Sequence, residues 1–262
     1  MSGQRYHPDW TRVGGVMKEL PDEETFKTMV KNFIRGDLDQ ALKDIDGLLS
    51  RNRIFIDRTQ GVGVLTHDEA IQWGSTGPIA RASGVRRDVR KDEPYLCFAD
   101  NWDGEGAEAV KFSVPLANEG DVYARFRVRL EEARQSIKII EQLIEDLPQG
   151  PIDVFADSKM TKPRKEDVYG SIEGLIQHFE LIMSNRGWEP PVAESYGCCE
   201  TANGELGYFI VSDGSPRSWR VKTRAPSFLN YQLMPKLIEG HMLADVVAVL
   251  GSLNIVAAEL DR

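Results

Sequence analysis

The sequence predicts a mainly α protein with small β-sheets, an α+β fold, on three observations. Apolar residues recur at helical spacing over several stretches, strict alternation is confined to short runs, and Gly and Pro punctuate the boundaries between them. With 262 residues, 41% of them hydrophobic and 28% charged, the chain buries a real core without needing disulfides or a structural metal.

From Pro21 to Ile34, the residues Phe26, Met29, Val30, Phe33 and Ile34 form one apolar face, and Pro21 stands where a first helical turn tolerates proline. Beyond Gly36, Leu38, Leu42, Ile45 and Leu49 repeat the pattern, which predicts a second short helix packed back on the first as an antiparallel pair. The stretch 51–95 is rich in glycine and dense in charge after Arg86, so it reads as short helices and loops. Val110, Phe112 and Val114 alternate with Lys111 and Ser113, predicting a half-buried strand ended by Pro115; the acidic NWDGEGAE before it predicts an exposed loop.

The clearest element follows. Phe126, Leu130, Ala133, Ile137, Ile140, Ile144 and Leu147 step along one long helix, stopped by Pro148, Gly150 and Pro151. Arg127 and Glu131 form an i, i+4 pair on its outer face worth only about 0.2–0.5 kcal/mol, so the apolar stripe holds the helix in place. Another helix, 165–185, turns Val168, Ile172, Leu175, Phe179 and Ile182 inward and stops at Gly187. LGYFIVS at 206–212 and SWRVKTR at 218–224 flank Asp213 and Gly214 as a hairpin ended by Pro226. The stretch 233–250 is apolar on all sides, which suits a buried helix.

Composition narrows the function. Thirty-two Lys and Arg against 41 Asp and Glu leave a net charge of -9, which argues against nucleic acid as a partner. Three cysteines give no secreted disulfide framework, and no stretch is long and apolar enough to predict a membrane span. The four histidines, His7, His67, His178 and His241, share no helical metal-site spacing, and CxxC, GxGxxG, GxxxxGK[ST] and GxSxG are all absent. His7-Pro8-Asp9 copies a chaperone-stimulating tripeptide but lacks the helix that motif needs before it. His178 and His241 read as packing histidines in preference to ligands, and Gly240 as a point of close helix approach.

Longer blocks carry a resemblance. RYHPDWTRVGGVMKELP at 5–21 resembles the R-aromatic/Met-H-x-x-aromatic-x-R-x-G-G-V-x-x-D/E-L-P signature of the D-type subunit of respiratory complex I. NRIFIDRTQGVGVLTHDEAIQWGSTGPIARASGVRRDVRKDEPY at 52–95, VPLANEGDVYARFRVRLEEARQSIKIIEQ at 114–142, GELGYFIVSDGSPRSWRVKTRAPSF at 204–228 and GHMLADVVAVLGSLNIVAAELDR at 240–262 are similar to that family in the same order. YLCFADNWDGEGAEAVKFS and CCETANGE depart from it and read as surface variation.

The resemblance implies a fold like the large subunit of nickel-iron hydrogenases, with the N-terminal part of the family fold absent, so that 1–262 is a single domain resembling the C-terminal two thirds of the D-type subunit. The hydrogenases hold nickel and iron with a CxxC near each chain end; the corresponding C-terminal segment here, LNIVAAELDR, lacks the thiolates, which excludes hydrogen chemistry. By resemblance the protein is a non-autonomous subunit of a proton-translocating NADH:quinone oxidoreductase (NADH dehydrogenase, complex I). It sits peripherally in the hydrophilic arm, on the cytoplasmic side of the inner membrane or on the matrix side in a mitochondrion.

No cofactor is implied on this chain alone. With the small cluster-bearing subunit it forms the cavity where quinone is reduced, the four-iron four-sulfur cluster and FMN residing on partner subunits. His7 matches a motif histidine near the terminal cluster, where a protonatable imidazole stabilises the added electron; its plain alternative is a solvent-exposed side chain. Val256 matches an aliphatic position lining the quinone cavity, the alternative being simple core. The family's hairpin His and later Tyr, which contact the quinone headgroup, have no counterpart in the sequence. A separate N-terminal fragment supplies them, or the chain is an assembly module without quinone chemistry; a third reading keeps the architecture with ferredoxin or another donor.

Overall fold

The longest periodic stretch of the sequence forms the longest helix, Val122–Glu145. The computed structural model describes residues 11–12, 15–16, 22–102, 106–145, 147, 163–182 and 189–261. They belong to two compact units, one of Met1–Lys27, Pro148–Tyr196 and Phe209–Lys222, the other of Thr28–Leu147, Gly197–Tyr208 and Thr223–Arg262. The chain is mostly helical with small sheets, as the sequence predicts.

Strands β1 (Thr11–Arg12) and β2 (Gly15–Val16) pair antiparallel, Thr11 facing Val16. Helix α1 (Glu23–Asn32) begins on Asp22, whose Oδ1 accepts the Thr25 N–H at 2.9 Å. The expected antiparallel pair does not form. A π-helical segment, Phe33–Leu38, carries Gly36 and runs directly into α2 (Asp39–Leu49), with Asn32 and Asp39 both in right-handed helical conformation. Gly36 therefore widens one helical path instead of ending it.

The short helices expected for 51–95 are α3 (Arg53–Thr59), α4 (His67–Gln72), α5 (Gly77–Ala82) and α6 (Val89–Asp92), followed by a 3-10 turn at Leu96–Phe98. Each start has a local cause. Asn52 accepts the N–H groups of Ile54 and Phe55, Thr66 and Glu69 form a reciprocal capping box, Pro78 occupies the first turn of α5, and Asp88 accepts the Arg90 N–H.

The alternation at 110–114 is real, since Val110 is buried while Lys111 and Ser113 are exposed, yet no strand forms. Its ladder partner is a helix. Along α7 (Val122–Glu145), Gln142 accepts the Lys111 N–H at 2.8 Å and donates to its carbonyl at 2.8 Å, and Gln135 accepts the Ser113 N–H at 3.1 Å. The buried face of α7 includes Val128 and Ile139, whereas Ile140 is exposed. Glu131 binds Arg134 and Gln135, not Arg127.

The single helix expected for 165–185 is broken. Between α8 (Lys165–Gly170) and α9 (Ile172–Ile182), Ser171 adopts an extended backbone and its Oγ accepts the Gly174 N–H at 3.0 Å, restarting the helix. A Cβ at Gly174 would lie 2.4 Å from the Asp167 carbonyl oxygen, so glycine permits the close approach of the two helices. Ile172, Leu175 and Phe179, expected inward, are exposed.

The hairpin comprises β4 (Gly204–Ser212) and β5 (Arg220–Arg224), with a third strand, β3 (Ala193–Thr201), on the other side of β4. Strand β3 contains Cys198 and Cys199, which the sequence assigns to variable surface. After α10 (Pro226–Tyr231), the buried helix expected for 233–250 is two shorter ones, α11 (Met234–Ile238) and α12 (Asp245–Leu253), with α13 (Ala257–Leu260) beyond. It is not buried on all sides, since Met242, Leu243, Val247 and Leu250 are exposed. Gly240, expected at a close helix approach, has open space around its Cβ position and a φ of +79°, so it is a turn residue. Leu65, Ile79, Val122, Leu233, Val249 and Leu253 form the core of the larger unit.

These contacts make two predictions. Glu69 bonds to Lys236 and Thr66, which together lower its carboxyl pKa from 4.5 to about 2. A depressed carboxylate adds stability that is complete above 4.5 and disappears as pH falls toward 2. Glu69→Gln therefore flattens this part of the acid limb when melting temperature is measured against pH. Gly120 has a φ of +64°, and a Cβ there would stand 2.0 Å from the Leu65 carbonyl oxygen; Gly120→Ala costs about 2–4 kcal/mol in urea unfolding.

Candidate functional site

The largest fully buried side chains of the larger unit are two arginines, Arg81 and Arg125. Arg81, on α5, is 1% exposed; its Nε donates to Glu132 of α7 at 2.6 Å and its Nη1 to Glu200 of β3 at 2.8 Å and to the Arg87 carbonyl at 3.0 Å. Asp88 stands 3.6 Å from the same guanidinium and receives two bonds from Arg90, at 2.9 and 2.7 Å. The second oxygen of Glu200 accepts the Val89 N–H at 3.2 Å, and the Tyr95 hydroxyl accepts the Glu200 N–H at 3.0 Å. Arg90 lies over the Phe112 ring at 4.7 Å and Lys91 at 4.2 Å. One guanidinium thereby joins α5, α7 and β3.

Burial and pairing oppose each other here. Burial alone would lower the Arg81 pKa, but Glu132, Glu200 and Asp88 outweigh it and hold the guanidinium above its ordinary value. Burial dominates at Glu132, whose carboxyl is pushed up despite Arg81. At Asp88 the arginines win against burial and lower it.

A second arginine system runs along α7. Arg125 is 0% exposed and donates to the Ser252 hydroxyl at 3.0 Å, the Gly63 carbonyl at 2.6 Å and the Gly120 carbonyl at 2.9 Å. The Gly63 N–H is in turn accepted by His241 Nε2 at 3.2 Å, so His241 is a satisfied packing group. The GVGV turn is a clamped structural loop. Asp121 completes it by accepting the Gly61 N–H at 2.8 Å and the Ala124 N–H at 2.7 Å.

One turn further on, Arg129 lines a cavity of about 270 Å³ with Phe55, Thr59, Phe126, Ala248 and Ser252. Burial, reinforced by the neighbouring guanidiniums, lowers the pKa of both Arg125 and Arg129 to about 10.

His7 lies outside the described residues. Val256 is the N-cap of α13, 47% exposed, with its N–H 3.5 Å from the Ser227 hydroxyl, which itself bonds to Glu259. Just before it, Asn254 takes a left-handed conformation and donates to Asn203 at 2.6 Å. Val256 is therefore surface and not core. Cys97, Cys198 and Cys199 are free, and burial pushes each thiol pKa up, away from a reactive thiolate. Among the described residues, no group of three or more His, Cys, Asp or Glu is placed to hold a metal ion, and no helix is long and apolar enough to cross a membrane.

Sequence reasoning missed Arg81 and Arg125, which are fully buried, and the partly buried Arg129, whose Nε and Nη2 are enclosed. The signal was present on α7, where Arg125 and Arg129 sit four apart beside the apolar positions Phe126, Val128 and Leu130.

Fold and site together define a mainly helical scaffold whose buried cations rivet loops and helices. The family described as respiratory-chain NADH dehydrogenase, 49 Kd subunit, matches residues 1–262. The chain belongs to that family. It is 43% identical over 262 residues to the D-type subunit of NADH-quinone oxidoreductase from Methylacidiphilum infernorum, the match covering 100% of this chain and 59% of the relative. For the D-type subunit of Leptospira biflexa the figures are 42% over 261 residues, 100% and 61%. For the combined C/D-type subunit of Bdellovibrio bacteriovorus they are 43% over 264 residues, 100% and 44%. The chain thus spans less than two thirds of the length of each of these curated relatives.

The Arg81 knot yields a prediction. Arg81→Met leaves Glu132, Glu200 and Asp88 without their shared cation and costs about 3–5 kcal/mol in urea unfolding at pH 7. A buried carboxyl with a raised pKa gains stability as pH falls, so the deficit narrows between pH 7 and pH 5.

Proposed function

We propose that the chain is a non-autonomous subunit of a proton-translocating NADH:quinone oxidoreductase and corresponds to the C-terminal two thirds of the D-type component. In this reading it takes a hydrogenase large-subunit-like fold and shapes the quinone cavity beside the four-iron four-sulfur cluster of a small partner subunit. The observation that carries the reading is identity of 42–43% along the whole chain to proteins named as D-type subunits of NADH-quinone oxidoreductase. NADH and FMN sit on other subunits. The assembly lies peripherally on the cytoplasmic side of the inner membrane, or on the matrix side in a mitochondrion, and the headgroup contacts come from polypeptide outside these residues.

Within that assembly each side chain has a limited task. Val256 offers an exposed aliphatic surface suited to a quinone ring or isoprenoid tail. His7 takes up a proton near the cluster as it is reduced, which offsets the added negative charge in a low dielectric. The arginine rivets keep the surrounding helices in register, and the redox chemistry belongs to the partner-bound groups and the quinone.

Purification of the tagged full chain from its native source is expected to yield a complex with NADH:quinone reductase activity, the chain alone being inactive. Turnover by the isolated protein with a flavin or metal of its own would overturn the reading. Within the complex, His7→Met weakens the pH dependence of the cluster's midpoint potential in a redox titration; an unchanged slope removes His7 from that role.

A further inference from the structure

The Ser227 hydroxyl is used to its full capacity. It donates to Glu259, and it accepts from Asn203 Nδ2 at 3.4 Å and from the Val256 N–H at 3.5 Å, filling the one donor and two acceptor positions of a hydroxyl. Ser227 is fully buried, and its own N–H donates to Glu259 Oε2 at 3.3 Å. Neither α10 nor α13 has a side-chain cap from its own N-cap residue. The two short helices cap each other instead: Glu259 of α13 takes a first-turn N–H of α10, and Ser227 of α10 takes the N–H at the start of α13.

Asn203 carries the same restraint to the residues before Val256. It is buried, its Oδ1 accepts from Asn254 Nδ2 at 2.6 Å, and its carbonyl accepts from Asn230 Nδ2 at 3.4 Å. Asn254 has a φ of +52°, a left-handed conformation that few residues other than glycine adopt, and the bond to Asn203 holds it there. Ile255, next in the chain, packs against the core. The backbone is thus pinned around Val256, at 254 by Asn203 and at 256 by Ser227, while the Val256 side chain stays exposed. A buried network this well paired holds one geometry closely, and what it holds here is an exposed aliphatic group.

We infer that Ser227 is a positioning residue for the quinone: with Asn203 and Glu259 it sets the place and direction of Val256, and so the apolar wall against which the ring or isoprenoid tail packs. The inference rests on the reading of Val256 as part of the quinone cavity. Ser227 is enclosed and takes no part in electron transfer; it acts through the backbone that its hydroxyl holds. Without that hydroxyl the Val256 N–H and Asn203 Nδ2 lose their acceptor, and the backbone at 256 shifts to find another. Binding of an apolar substrate then suffers before the electron-transfer step does.

The test is steady-state kinetics of the assembled complex with a short-chain quinone, rates being taken per bound FMN. Ser227→Ala is expected to raise the quinone KM about fivefold, the effect of losing one buried hydrogen-bonding group, and to change KM more than kcat. A merely structural Ser227 would lower the yield of complex and leave the KM of what assembles at the wild-type value; that result overturns the inference. Should Ser227→Ala fail to assemble, Asn254→Gly decides, because glycine takes the left-handed backbone freely and only the amide bond to Asn203 is lost. A raised KM in that variant supports the inference and an unchanged one overturns it. Val256→Ala separates the inference from the reading beneath it. If Val256→Ala changes the KM and Ser227→Ala does not, the positioning role fails and the cavity reading stands. If neither changes it, the cavity reading fails and takes the inference with it. A KM raised in Ser227→Ala alone also overturns the inference, since the effect would not then pass through Val256.

Discussion

Placing a guanidinium where water cannot reach it forces everything around it into position, and the larger unit is organised by that constraint. Arg125 needs acceptors on several sides, and the chain supplies them from the Gly63 and Gly120 carbonyls and from Ser252. Two loops and a C-terminal helix are thereby tied to the middle of α7. The left-handed conformation of Gly63 and Gly120 is part of the same arrangement, because each glycine turns its carbonyl toward one cation. Arg81 performs the equivalent task nearer β3, with carboxylates in place of carbonyls. Hydrophobic packing fills the space between these anchors, but packing is tolerant of small shifts and a buried charge network is not.

That constraint explains which parts of the fold were legible in the sequence. The long helix, the short helices of 51–95 and the hairpin all rest on local patterns: apolar spacing, capping side chains and turn residues. Gly36 and Ser171 were misread because each is an ambiguous signal. Glycine within a helical pattern can end a helix or widen it, and Gly36 sits in a π-helical segment that only neighbouring turns reveal. Gly170, the last residue of α8, stands just before Ser171, but a glycine inside an apolar helical pattern does not by itself end the helix, and Gly174 serves the approach of α8 to α9. At 110–114 the alternation correctly foretold which side chains are buried, yet the hydrogen bonds of an extended segment went to glutamines on a helix. Alternation reports on burial and not on the identity of the partner.

The site was legible in a different way. Spacing and composition offered no catalytic motif, and family resemblance alone selected His7 and Val256. Val256 proves to be a surface aliphatic residue placed by a left-handed Asn254. The buried arginines escaped notice because Arg in a helical pattern usually belongs to the solvated face, and only the fold reveals which ones lack water. On α7 the distinction is sharp: Arg134 pairs at the surface with Asp46, while Arg125, nine positions earlier on the same helix, is fully enclosed.

A scaffold held by buried cations is not equally complete along its length. Arg81 meets carboxylates and a carbonyl, and so fixes α5, α7 and β3 against one another. Arg125 bonds to two carbonyls and a hydroxyl but keeps its Nε unmet, and Arg129 keeps both Nε and Nη2 unmet. Each enclosed, unmet donor costs about 1–3 kcal/mol, so α7 becomes less well satisfied from its neighbours as the guanidiniums move away from carboxylates. Charge pairing and not burial alone therefore decides which of these arginines stabilises the fold, since burial lowers the pKa of Arg125 and Arg129 while its carboxylates hold that of Arg81 up.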